Sequence, residues 1–168
     1  MLLFCDVISG DEMVSDAYPI KDVNSAVMEI DCALVQVKSG GDVDIGANPS
    51  AEEAAEDLEE GSETVNNVVY SFRLQSTSFD KKGYMAYIKG YMKKLAKHLE
   101  ENNPERVEPF KKEATEFVKK VVSNFSDYEF YTGESMDPDG MVALLNYRED
   151  GITPYFTLFR DGLKQQKL

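Results

Sequence analysis

The chain is poor in the residues that most catalytic and metal centres require: it has one histidine and two cysteines in 168 residues. Nucleophilic catalysis pairs a nucleophile with a base. The lone imidazole, His98, falls between Lys97 and Leu99 on a lysine-rich stretch, where an exposed edge position is expected and a Ser-His or Cys-His pair is not. A structural zinc takes about four Cys or His ligands. Cys5, Cys32 and His98 are too few and too far apart to supply them. No Walker A or Rossmann glycine pattern occurs, since Gly40-Gly41 and Gly46 stand isolated. The two cysteines form no disulfide framework and are read as buried thiols of a reducing compartment. No apolar run approaches the length that crosses a bilayer, so membrane insertion is not expected. The opening MLLFCDVISGDE lacks a basic n-region, and Asp6 interrupts its apolar stretch, so no secretory signal is expected either. The expectation is a soluble cytoplasmic protein that is not an enzyme and requires no cofactor.

Positive charge is scarce as well. A net charge of −13 argues against a general nucleic-acid binder, because phosphate recognition depends on clustered Lys and Arg. The charge is also unevenly spread. Residues 39–64 hold nine Asp or Glu and no Lys or Arg, whereas 80–122 holds 11 Lys or Arg against 7 Asp or Glu. Such polarity steers one face toward acidic partners and another away from them.

What is present describes a globular domain. Apolar residues make up 42% and aromatics 11%, and 168 residues suit one domain with its own core. The first third reads as strands, 2–8 and 27–37, with Met28, Ile30, Cys32 and Leu34 on one face. Residues 39–64 hold too little apolar surface to offset ordering entropy and read as a mobile acidic loop, with a transient helix from Pro49 to Glu60. Strand pattern resumes at 65–74. Tyr84, Ile88, Tyr91, Leu95 and Leu99 then recur at helical spacing behind a capping-box-like Thr77-x-x-Asp80. Asn102-Asn103-Pro104 breaks that helix. Pro109 suits the first turn of a second, whose apolar face is Phe110, Ala114, Phe117, Val118, Val121 and Val122. A helical hairpin over about 80–123 follows. Val142 to Tyr147 and Ile152 to Phe159, separated by Glu149-Asp150-Gly151, read as a β-hairpin. Ser135 to Asn146 can be laid over a calcium-binding EF-hand loop, but Ser135 and Asn146 occupy the end positions that need Asp and Glu. Asp137-Pro138-Asp139-Gly140 is therefore read as a tight turn.

Four stretches carry a family resemblance. YTGESMDPDGMVALLNYREDGITPYFTLFRDG (131–162) resembles the C-terminal signature of the translationally controlled tumour protein family, and IGANPSAE (45–52) its other signature. MLLFCDVISGDEMVSDAY (1–18) is similar to its first hairpin, and 77–97 with PERVEPF (104–110) to its helical hairpin. The resemblance implies an α+β, mostly antiparallel β-sheet assembly of the β-tent type, similar to a chaperone of nucleotide-free Rab GTPases. It also implies a cytoplasmic, partly cytoskeleton-associated monomer with microtubule binding, weak calcium binding, association with translation elongation factors, and support of protein synthesis and growth. A further attribution, anti-apoptotic partner binding, has no discriminating feature in this chain. The tubulin-facing or acidic-partner candidates are Lys89, Lys93, Lys94, Lys97, Lys111 and Lys112. The alternative reading is a nucleotide-exchange factor or chaperone-like regulator of a small GTPase of the Rheb type. It would act through Glu12 and Asp11 in the first loop, with an acidic side chain engaging the phosphate-loop Lys of the empty GTPase. The calcium ligands are not assigned.

Overall fold

The computed structural model describes residues 1–38, 43–44 and 62–167. In chain order it contains β1 (Leu2–Asp6), β2 (Glu12–Ser15), β3 (Ile20–Asp22), β4 (Val27–Asp31), β5 (Leu34–Lys38), β6 (Val43–Asp44) and β7 (Ser62–Asn66). There follow α1 (Asn67–Phe72), β8 (Gln75–Thr77), α2 (Lys81–Asn102), α3 (Val107–Ser123), β9 (Glu129–Thr132), β10 (Ala143–Tyr147), β11 (Pro154–Phe159) and β12 (Leu163–Lys167). Three sheets result, ordered β12-β1-β2, β3-β4-β11-β10-β9-β8 and β6-β5-β7. Every pairing among the described strands is antiparallel. This is the α+β class the sequence implies.

The β10–β11 hairpin lies at the centre of the six-stranded sheet, with Leu145 opposite Phe156 and Leu144 opposite Thr157. Central strands are covered on both faces, which explains their continuous apolar runs. Leu144, Leu145, Phe156 and Leu158 are all buried. Ile152 is not part of the strand: it is 74% exposed, because Asp150 caps the turn by accepting from the Ile152 and Thr153 amides (2.8 and 2.9 Å). Phe159 reaches the helices, meeting Phe110 and Phe117 edge-on at 6.3 and 5.8 Å. Truncating a core aromatic of this kind costs about 3–5 kcal/mol.

The two helices follow the apolar spacing. Tyr84, Ile88, Tyr91, Leu95 and Leu99 of α2 face Phe110, Ala114, Phe117 and Val121 of α3 and the sheet, and all are buried. Asp80 is itself the N-cap of α2, accepting from the Gly83 amide at 2.6 Å. Thr77 ends β8 instead of opening a capping box. The tip of the hairpin is fixed by Arg106, whose guanidinium donates to both Asp161 oxygens (2.9 and 2.8 Å) and to the Ser25 carbonyl (2.9 Å). That bidentate geometry raises the Arg106 pKa, chiefly through the hydrogen bond to Asp161.

Three further expectations are corrected. The stretch 27–37 is two strands in two sheets: β4 pairs with β11, whereas β5 pairs with β6 and β7. The chain turns away at Cys32 and Ala33, where Asn67 exchanges hydrogen bonds with the Ala33 backbone. Leu34 therefore does not share the buried face of Met28 and Ile30 and is 54% exposed. The stretch 65–74 is not one strand either. Asn66 caps a helix there, its side chain accepting from the Val68 and Val69 amides. Finally, the acidic loop read at 39–64 contributes β6 and the start of β7 to the third sheet. Its remainder, with the helix expected at 49–60, lies outside the described residues.

Candidate functional site

Two surfaces collect the candidate residues. The first lies along the helical hairpin. Because α2 buries one face completely, its lysines are displaced to the others, and Lys89, Lys93, Lys94 and Lys97 are all exposed, as are Lys111 and Lys112 of α3. Between the helices runs a shallow groove. One section, of about 480 Å³, is floored by Met85, Ile88, Met92 and Val118 and edged by Lys89 and Lys119. The next, of about 650 Å³, has Met92 and Ala96 between Lys93, Lys94, Lys97 and Lys111, with Glu100 at one end. Lys112 lines neither section. Lys94 stands apart because its Nζ pairs with Asp139 at 2.7 Å. The methionine floor is not among the candidates that the sequence suggests, although Met85 and Met92, seven residues apart, carry the signal. An adaptable thioether floor inside a cationic frame suits an apolar segment with acidic flanks.

The second surface is the junction between the β1–β2 turn and residues 133–142. Asp6, only 3% exposed, accepts from the Ile8 amide (2.9 Å), Ser9 Oγ (2.7 Å) and the Met141 amide (2.7 Å). Asp11 accepts from Ser135 Oγ at 2.6 Å. Both depend on close approach: a Cβ at Gly133 would collide with Asp11, and one at Gly140 with Asp6. Tyr87 of α2 completes the junction, donating to the Gly140 carbonyl (2.6 Å) and accepting from the Val142 amide (3.1 Å). Burial raises the Tyr87 pKa well above the usual tyrosine range. The tight turn read at 137–140 is present, with the Gly140 amide bonded to the Asp137 carbonyl (3.0 Å). Asp11 and Glu12 do not share an environment. Asp11 is half-buried and engaged, whereas Glu12 opens β2 instead of lying in the loop, and its side chain is exposed.

The remaining reactive groups are His98 on α2 and the two thiols, of which Cys5, opposite Glu12 of β2, is only half-buried, not buried as the sequence implies. His98 Nδ1 lies 3.4 Å from the Asn102 amide nitrogen. Cys32 is buried, and desolvation pushes its thiol up to about 11; burial also raises that of Cys5. Raised thiols are poor nucleophiles. Among the described residues, no group of three His, Cys, Asp or Glu side chains is placed to hold a metal ion. No helix among them is long and apolar enough to cross a membrane.

With this geometry in hand, comparison with known proteins is decisive at the level of family. Residues 1–164 match the family model for translationally controlled tumour protein. A translationally-controlled tumor protein homolog of Schizosaccharomyces pombe is 68% identical over 167 residues, covering 99% of both chains. Its counterpart in Saccharomyces cerevisiae is 55% identical over all of both chains. Among solved structures, a translationally controlled tumor-associated protein of S. pombe superposes with a TM-score of 0.84 at 67% identity over the full length of both. The translationally-controlled tumor protein of Caenorhabditis elegans gives 0.73 at 32% identity, covering 100% of this chain and 99% of that one.

Proposed function

The chain belongs to the translationally controlled tumour protein family, and from that premise we propose that it is a non-enzymatic binding protein whose helical hairpin docks acidic surfaces of larger partners. The observation that carries this reading is the groove floored by Met85, Met92 and Val118 and framed by Lys89, Lys93, Lys97, Lys111 and Lys119. Tubulin in the microtubule lattice and acidic segments of translation elongation factors are partners of that character. The chain would act as a cytoplasmic monomer, partly on the cytoskeleton, in support of protein synthesis. Calcium, on this reading, associates weakly with exposed carboxylates instead of filling a built site. Contacts made by exposed lysines are screened over a Debye length of about 8 Å at physiological ionic strength, so binding should weaken with salt. The test is co-sedimentation with microtubules over a salt series, with wild type beside Lys93/Lys97/Lys111→Glu. Loss of pelleting with salt and with the variant supports the proposal. Pelleting indifferent to both removes it.

A second reading rests on Glu12. Its neighbour Asp11 is held by Ser135, whereas Glu12 projects from a strand anchored in the core by Met13 and Val14, both buried. An exposed carboxylate presented from that strand could meet the phosphate-loop Lys of a nucleotide-free small GTPase. In that case Glu12→Ala abolishes capture of nucleotide-stripped GTPase without altering stability; undiminished capture ends this reading.

A further inference from the structure

The cleft on the other side of α2 from the methionine groove has a different chemistry. It measures about 500 Å³, within the size range of sites that take small ligands and side chains. Phe79, Tyr87 and Tyr91 form its aromatic wall, with Phe79 and Tyr87 5.4 Å apart and Tyr87 stacked on Tyr91 at 5.8 Å. Gly90 opens it: a Cβ built there meets nothing within 4 Å, although a mid-helix glycine costs roughly 1 kcal/mol against alanine. The far lip is the 136–139 turn. Met136 there is 58% exposed and holds a left-handed backbone (φ 57°).

We propose that this cleft is a docking site for an extended partner segment that places an aromatic side chain against Phe79 and Tyr87 with an arginine or lysine beside it. Charge decides the cation. Asp137 and Asp139 line the mouth against the single Lys94, which already pairs with Asp139. Asp137 has no cationic partner among the described residues. The local balance leaves one negative charge beside the half-buried rings of Phe79 and Tyr87, an arrangement that suits a guanidinium or ammonium. Two observations favour a polypeptide. Thr77, at the end of β8, lines the cleft, and β8 is the outer strand of its sheet, so an extended segment can run alongside it. The exposed Met136 supplies an apolar contact along the far lip, opposite that strand. The site is preformed, because Tyr87 is fixed at both its donor and its acceptor, and little ordering cost remains for the guest.

The test uses the full chain labelled with nitrogen-15 and a blocked tetrapeptide, arginine-phenylalanine-arginine-glycine. Amide shifts should concentrate at Gly90, Thr132 and Val142. Gly90→Leu fills the cleft and, leucine being the better helix former, should keep the fold; peptide binding should fall at least about tenfold. Asp137→Asn keeps the turn acceptor for the Asp139 amide but removes the charge, and should weaken binding about threefold to fivefold while flattening its salt dependence. Four results would overturn the proposal. They are equal shifts from a glutamate-flanked peptide, unchanged binding by Gly90→Leu, phenethylamine binding as tightly as the peptide, and no shifts at millimolar peptide.

Discussion

At the junction of the first turn with residues 133–142, Asp6 and Asp11 commit their carboxylates to amides and hydroxyls of the same chain. Along the helical hairpin, Lys89, Lys93, Lys97 and Lys111 have no carboxylate within ion-pair distance among the described residues. One region uses charge to hold the fold together, and the other leaves charge available. A buried carboxylate with three donors cannot be exchanged for a partner's cation without leaving those donors unsatisfied. Exposed lysines lose almost nothing by changing partners. The contrast predicts that losing a carboxylate of the first kind costs stability and that losing a lysine of the second kind does not.

The largest effect that tests this contrast is Asp6→Ala. It strands the buried Met141 amide and frees the turn, and should lower stability by about 3 kcal/mol, read as a fall in the urea midpoint. A loss below about 1 kcal/mol would mean that the junction is held by something else. Asp11→Ala comes next. Its bonds to Ser135 are partly exposed, and about 1 kcal/mol is expected, with amides of 133–136 exchanging faster. Lys93/Lys97/Lys111→Glu should move stability by no more than about 0.5 kcal/mol while abolishing salt-sensitive partner binding. A large stability change there would erase the distinction between the two regions.

The smallest effect is a pH response at the hairpin turn. The Thr153 and Ile152 amides hold the Asp150 carboxyl below its ordinary 3.8. A depressed carboxylate contributes stability above its unfolded value, and that contribution is lost as pH falls through the folded value. The amides of Ile152 and Thr153 should therefore shift and exchange faster in acid below the usual aspartate range. Shifts that stay constant there would show that the cap is not charge-dependent.

Much of this was legible from spacing. The buried faces of α2 and α3 follow from apolar residues at every third or fourth position, and the β10–β11 hairpin from two apolar runs around Glu149-Asp150-Gly151. Local pattern failed where a long-range partner overrode it. Residues 27–37 alternate as one strand would, yet they divide because β11 claims the first half and β7 the second. Residues 67–72 carry β-branched and aromatic residues but form a helix, because Asn66 supplies the cap. Capping by a single side chain is a local signal too easily outweighed by composition.

The sequence by itself determined the family, the α+β class, the polarity of charge and the identity of the lysine-bearing helices, since these depend on residue order and composition alone. Only the tertiary structure decided which charges are free. It set Asp11 against Ser135, 124 residues away, and Asp6 against Met141, 135 residues away, while Glu12 stayed exposed. It also turned Met85 and Met92 into the floor of a groove and opened a cleft at Gly90. Such assignments depend on which distant atoms compete for each hydrogen bond and each square ångström of apolar surface, and periodicity along a chain carries no record of that competition.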